Sequence, residues 1–241
     1  MKKSIFYLTL TVISTLSFAQ DAKDFYKEAK KSFKSDDYKT AVEKCSKAID
    51  KDKTYIDAYL LRGESLVKLN NKKEAVADLT KAANEYIKKE DVQILTANTL
   101  FEIGEFKKAI PYFETVYSLD DDNFESIEKL YISSYNAEEY NKASKFNDLS
   151  IEENNEVAKH YYYRGLIYHA KKNLGNAEKA FVDCAKLDSK YPKVYTHLTQ
   201  VRIDAKMHAK AVATADVAIK NNSKDFDAYY LKAKAHALQK N

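Results

Sequence analysis

The chain has 241 residues, 40 of them basic and 36 acidic, a formal net charge of +4 at pH 7, and only four glycines and two prolines. So small a net charge is no nucleic-acid footprint, and four glycines leave little for a phosphate cradle. Plentiful Lys, Glu, Ala and Leu favour long helices.

The first nineteen residues stand apart. Lys2 and Lys3 form a basic start, Ile5 to Phe18 is an uncharged apolar run, and Ser17-Phe18-Ala19 ends it on small residues. This pattern predicts a secretory signal peptide cut after Ala19. A transmembrane anchor needs ~20 apolar residues, and the run is shorter. No cysteine follows the cut, which argues against a lipid anchor of the bacterial lipoprotein kind. The expected location is outside the cytoplasm, periplasmic or secreted.

From residue 22 onward one period governs the chain. Ala41, Ala75, Ala109, Ala143, Ala177 and Ala211 each follow the last by 34 residues. Ala29, Gly63, Ala97, Gly165 and Ala233 share a second phase. Phe25, Tyr59, Ile127, Tyr161, Tyr195 and Tyr229 share a third. Small residues at fixed places let two helices cross closely, and the large ones fill the space around the crossing.

The stretches Tyr59-x2-Arg62-Gly63-x2-Leu66…Ala75-x3-Leu79 and Tyr161-x2-Arg164-Gly165-x2-Tyr168…Ala177-x3-Phe181 carry a resemblance. They resemble the tetratricopeptide repeat, a helix–turn–helix unit of 34 residues. The resemblance implies an all-α fold, a right-handed superhelical solenoid. It places six repeats at 22–55, 56–89, 90–123, 124–157, 158–191 and 192–225, with a seventh first helix at 226–241 that caps the array. Tyr229 and Ala233 continue its packing phase, and Lys232, Lys234 and Lys240 give it a wet side.

Some positions depart from the pattern. Tyr131 and Thr199 stand where Gly or Ala is expected, and Asn147 and Ser150 occupy packing positions. The fourth repeat is therefore expected to be the loosest. Pro192 would open the sixth repeat as a first-turn proline, and Pro111 falls early in a second helix, where its missing N–H costs little.

The resemblance also implies a concave groove lined by the first helices. Carried over position by position, it offers Tyr26, Lys30 and Phe33, then Leu60, Glu64 and Val67, then Ile94, Asn98 and Phe101. Further along it offers Glu128, Ile132 and Tyr135, then Tyr162, Leu166 and His169, then Thr196, Gln200 and Ile203. Phe33, Val67, Phe101 and Ile203 fit packing between neighbours equally well. Tyr26, Tyr162 and Leu166 are the preferred contacts for an extended or helical segment. The slots that clamp a C-terminal carboxylate in some arrays hold Tyr26, Lys30, Asp91 and Leu95, so that clamp is not encoded in the first three repeats.

No catalytic motif appears, neither G-x-S-x-G, H-E-x-x-H, a P-loop nor a dinucleotide glycine pattern. The chain reads as a non-enzyme without cofactor or metal. No two of its five histidines stand three or four residues apart; only His169 and His197 could meet across neighbouring helices. Cys45 and Cys184 lie four repeats apart and read as small buried hydrophobes. Charge runs in blocks: net +5 over 22–89, −11 over 90–157 and +9 over 158–241. These observations point to an exported scaffold that holds a protein or peptide partner, with a role in cell-envelope assembly as one fit. The alternatives are a self-associating structural protein with head-to-tail contacts between charge blocks, and a non-catalytic subunit of an envelope enzyme complex.

Overall fold

The computed structural model describes residues 20–239, and the expected signal peptide lies outside them, as does Lys240. Every regular element among the described residues is an α-helix. The chain divides into two compact units, one through Asn123 and one from Phe124. The first holds α1 (20–34), α2 (Tyr38–Lys51), α3 (Ile56–Lys68), α4 (Lys72–Glu85), α5 (Glu90–Glu102) and α6 (Phe106–Leu119). The second holds α7 (Phe124–Asn136), α8 (Tyr140–Glu153), α9 (Ala158–Ala170), α10 (Leu174–Leu187), α11 (Val194–Asp204), α12 (His208–Asn221) and α13 (Phe226–Gln239). Within each unit helices pack on their neighbours in sequence or next but one, as in α9 on α10, α10 on α11 and α9 on α11. The architecture is that of an all-α helical-repeat solenoid, where each helix pair buries its apolar face against the next.

Two devices stop the helices. Within each hairpin the first helix ends on a residue in the left-handed region: Asp36, Asn70, Gly104, Glu138, Lys172 and Lys206, with φ between 59° and 79°. Behind each, the next residue's N–H reaches back to the last turn, as in Asn71 to the Leu66 carbonyl (2.8 Å) and Asn173 to that of Tyr168 (2.9 Å). This is the Schellman ending, which usually takes glycine; here Gly104 is its single glycine. Five of the six second helices stop at an Asp or Asn whose carboxylate or amide oxygen accepts the N–H two residues on, while α4 ends at Tyr86. Asp52, Asp120, Asn154, Asp188 and Asn222 do this at 2.8–3.1 Å. These Asx turns stand where the repeat family commonly closes with proline.

The crossings are tight. Ala41, Ala75, Ala109, Ala143, Ala177 and Ala211 are all 0 % exposed. A Cβ on Gly63 would lie 2.7 Å from Leu79 Cδ2, and one on Gly165 would lie 2.7 Å from the Phe181 ring. Phe181 is itself fully buried, a placement worth about 2–3 kcal/mol.

The fourth hairpin is closed rather than loose. Tyr131 and Asn147 are 0 % and 1 % exposed, where the fifth hairpin has Gly165 and Phe181. The large residue has moved from the second helix to the first. Both side chains then meet His160: the Tyr131 hydroxyl lies 3.1 Å from His160 Nδ1, and Asn147 Nδ2 donates to the His160 carbonyl at 3.0 Å. Thr199 is buried too and returns its hydroxyl to the Tyr195 carbonyl at 2.7 Å.

Three expectations need correction. Pro192 precedes α11 rather than opening it, because Lys193 takes φ 62° and the helix begins at Val194. Pro111 is the sixth residue of α6, so it removes a bond to the carbonyl of Lys107, an exposed residue. Tyr229 and Ala233 do not continue the packing phase but face outward on α13, since among the described residues no second helix covers them.

Candidate peptide-binding surfaces

In the first unit the candidate surface begins on α1. Lys23, Lys27, Lys30 and Lys34 fall at spacings of four, three and four, which makes one stripe on a helix. All four are exposed, and none has an ion-pair partner among the described residues. Tyr26 lies beside them, half-buried, its ring edge-on to Tyr55 at 5.0 Å with Lys30 Nζ 5.7 Å above it. Burial, with the Asp57 charge second, raises the Tyr26 pKa, so the ring stays a neutral phenol. A shallow, open hollow along this flank is lined by Tyr26, Lys27, Lys30, Lys31 and Lys34, with the carboxylates of Asp24 and Glu28 at its edge.

Leu60, Ile94 and Asn98 are half-buried, as are Phe33, Val67 and Phe101. Leu60 packs with both the Leu66–Leu79 cluster and the Ala82–Val92 cluster. Glu64 is half-buried, and its pKa is raised by burial first and by the Asp91 charge second.

In the second unit the side chains largely satisfy one another. Tyr162 sits inside a ring cluster with Tyr191 at 4.9 Å, His197 at 5.6 Å and Phe181 at 5.8 Å. Tyr135 touches Tyr163 at 5.9 Å and Tyr140 at 6.0 Å. Burial pushes the Tyr191 hydroxyl up to about 12. His169 Nε2 meets Asp204 at 2.7 Å, and Gln200 donates to the same carboxylate at 2.7 Å. Lys159 pairs with Glu128 at 2.9 Å. Thr196 is buried and donates to Asp225 at 2.6 Å, which Lys193 also reaches.

The preferred contact Leu166 is buried, at 8 % exposure, and Ile132 matches it; Ile203 is buried at 5 %. These three serve the core, because the apolar phase that marks a groove also marks the seam between neighbouring hairpins. The reverse case is Tyr230, 67 % exposed on α13. It stands 68 residues after Tyr162 in the same phase, a spacing that the period could have revealed. The lysines at 23, 27 and 34 carried a comparable signal in their spacing.

Burial pushes both cysteine thiols up to about 12, so neither is a ready nucleophile. Among the described residues no three His, Cys, Asp or Glu side chains gather as a metal site. None of the described helices is long and apolar enough to cross a membrane.

Comparison with known proteins agrees with this architecture. Residues 34–116 match the family described as "Anaphase-promoting complex, cyclosome, subunit 3", and residues 158–191 match the tetratricopeptide repeat. No curated protein matches the chain in sequence. Among solved structures it is similar to YrrB, described as a TPR protein with an unusual peptide-binding site. The TM-score is 0.63 at 19 % identity, covering 80 % of this chain and 100 % of that one. A tetratricopeptide repeat protein from Parabacteroides merdae aligns at TM-score 0.61 and 16 % identity, over 91 % of this chain and 87 % of that one. MamA from Desulfovibrio magneticus aligns at TM-score 0.61 and 19 % identity, over 70 % and 97 %. At these identities the likeness is one of fold.

Proposed function

We propose that this chain, whose repeats are of the tetratricopeptide kind, is an exported, non-catalytic scaffold that holds an acidic segment of a partner protein against α1. The observation that carries the reading is the stripe of Lys23, Lys27, Lys30 and Lys34, exposed and without ion-pair partners, beside the half-buried ring of Tyr26. Charge of one sign along a groove speeds the approach of an oppositely charged segment. The ring then supplies apolar contact and orientation. The peptide-binding description attached to YrrB supports the same kind of role. Export rests on the basic, apolar and small-residue pattern of residues 1–19, and envelope assembly is the setting that export favours.

The test is a pull-down from envelope extract with the chain from Gln20 as bait. The control carries Lys23→Glu, Lys27→Glu and Lys30→Glu, all at exposed positions that the fold does not use. A partner held by the native chain and lost by the control supports the reading and is thereby identified. A partner that survives the triple reversal removes the stripe as its site. Intact mass of the native protein tests export, since a chain still beginning at Met1 rules out the cut after Ala19.

A second reading has its own observation, the net −11 of residues 90–157. That block could receive the lysines of another copy in a head-to-tail contact. Such contacts weaken with salt, so an assembly indifferent to ionic strength excludes them.

A further inference from the structure

Helix α13 carries two apolar stripes on opposite sides. The inner one holds Ala228, Leu231 and Ala235, all buried. The outer one holds Phe226, Tyr229, Tyr230, Ala233 and Ala237, and all five are exposed, Phe226 by 81 %. An apolar stripe on a helix is normally the face that packs against a neighbour. Earlier hairpins show what happens on this face. Gly165, in phase with Ala233, lies against Phe181, and Thr199 in the same phase is 0 % exposed. Among the described residues nothing does this for α13.

The outer stripe is graded along its length. Its first half is large (Phe226, Tyr229, Tyr230) and its second half is small (Ala233, Ala237). A parallel copy of the helix would set rings on rings and leave the alanines over a gap. An antiparallel copy sets each large half on the other's small half, twice over. The flank agrees. At about 100° per residue, Asp227 and Lys234 fall on one side of the stripe, towards opposite ends. Two-fold antiparallel pairing puts Asp227 of each copy on the same side as Lys234 of the other. Self-complementarity of shape and charge is what an isologous contact requires.

The geometry points to α13 as the interface with a second copy of this chain, antiparallel and two-fold, through the outer stripe. The helix is only about 21 Å long, and one such pair buries less than the ~800 Å² per partner of a standard interface. The dimer is therefore concentration-dependent rather than permanent. This contact is apolar and lies in the second unit, so it stands or falls independently of the lysine stripe on α1.

Sedimentation velocity on the purified full chain, from about 1 µM to about 500 µM, reads the pairing. The expected result is a dimer at the upper end that persists in high salt. Tyr230→Lys with Ala233→Lys should raise its dissociation constant at least ~10-fold and leave far-UV circular dichroism unchanged, since both residues are exposed. Orientation is read by cross-linking. A mixture of Tyr230→Cys and Ala233→Cys chains should form a mixed disulfide, whereas Phe226→Cys chains should not link to each other. Monomer throughout the range overturns the proposal. So does efficient Phe226→Cys self-linking, which would mean parallel pairing. Binding of a synthetic peptide of residues 174–187 by a chain that stays monomeric also overturns it, because the face would then take a partner's helix instead of a second copy.

Discussion

Replacing Gly165 by alanine puts the packing of α9 on α10 to a direct test. In the middle of an ordinary helix this change stabilises by about 1 kcal/mol, because glycine loses more backbone freedom on folding. Here the new Cβ would lie 2.7 Å from Phe181 Cδ1 and Cε1 and 2.8 Å from Cζ. Carbon atoms rest at about 3.5–4.0 Å, so the ring must retreat by most of an ångström. It has little room, being 0 % exposed, stacked on His197 at 5.9 Å and edge-on to Tyr162 at 5.8 Å. Overpacking of this kind costs about 1–3 kcal/mol, and three rigid ring atoms place it towards the upper end. The net expectation is a loss of about 1–2 kcal/mol. Gly175→Ala is the control, since a Cβ there meets nothing within 4 Å, and it should be neutral or stabilising. Gly63→Ala should cost less than Gly165→Ala, because its obstacle is the branched tip of Leu79, which can rotate. Urea unfolding followed by circular dichroism gives the order, and amide exchange in α9 and α10 locates the change. A Gly165→Ala protein as stable as the native one, or more so, would refute the reasoning. The hairpin would then have slack, as at Ala97, which already faces its own second helix with a methyl group.

Three further changes probe other parts of the molecule. Glu138→Gly and Lys172→Gly relieve L-residues at φ 62° and 61°, and each should stabilise by about 1 kcal/mol in thermal unfolding; a destabilised variant would mean that the side chain contributes more than the strain. Asp78→Ala strands the Arg62 guanidinium, which it holds through bonds of 2.6 and 2.8 Å. Removing one member of a fully buried pair costs about 3–5 kcal/mol; with Arg62 a quarter exposed and still bound to Ser46, about 2 kcal/mol is expected in urea unfolding, and a neutral outcome would contradict the pairing. Burial holds the imidazoles of His160 and His197 below their ordinary pKa of 6.5. The folded state thus binds fewer protons than the unfolded chain, and stability that is intact above about pH 6.5 is lost as the pH falls below it. All five histidines lie in the second unit, so as the pH falls from about 7 to about 5 protection against amide exchange, taken relative to the free-peptide rate at each pH, should drop there first, and His160→Gln should reduce the effect; equal loss of protection in both units would count against it.

Periodicity made the fold legible. A residue type that must be small, as at Ala177, recurs because the backbone approach recurs, and sequence spacing reports it directly. Exposure was harder to read. Leu166 and Tyr230 occupy groove phases in first helices, yet one is buried and the other is open. The difference lies in what packs on each helix afterwards, which spacing alone does not state. The helix stops were hidden for another reason. Glu138 and Lys172 take a conformation usually left to glycine, held there by hydrogen bonds from the next residue. The fourth repeat looks irregular when Tyr131, Asn147 and Ser150 are each set against the repeat pattern; the size of Tyr131 makes sense only with Asn147 as its partner across the crossing.

That last pairing bears on how such a chain can be rearranged. Volume at each crossing is settled between two helices, so each helix is matched to its own mate. A duplication or recombination that breaks inside a hairpin would bring Tyr131 up against Phe181, or leave Gly165 facing Asn147. The first offspring would be overfilled, the second hollow. A break in the loops closed by Asp52, Asp120, Asn154, Asp188 or Asn222 keeps every couple together. The hairpin is therefore the smallest heritable piece of this molecule, and lengthening or shortening by whole hairpins is the change its descendants can best survive.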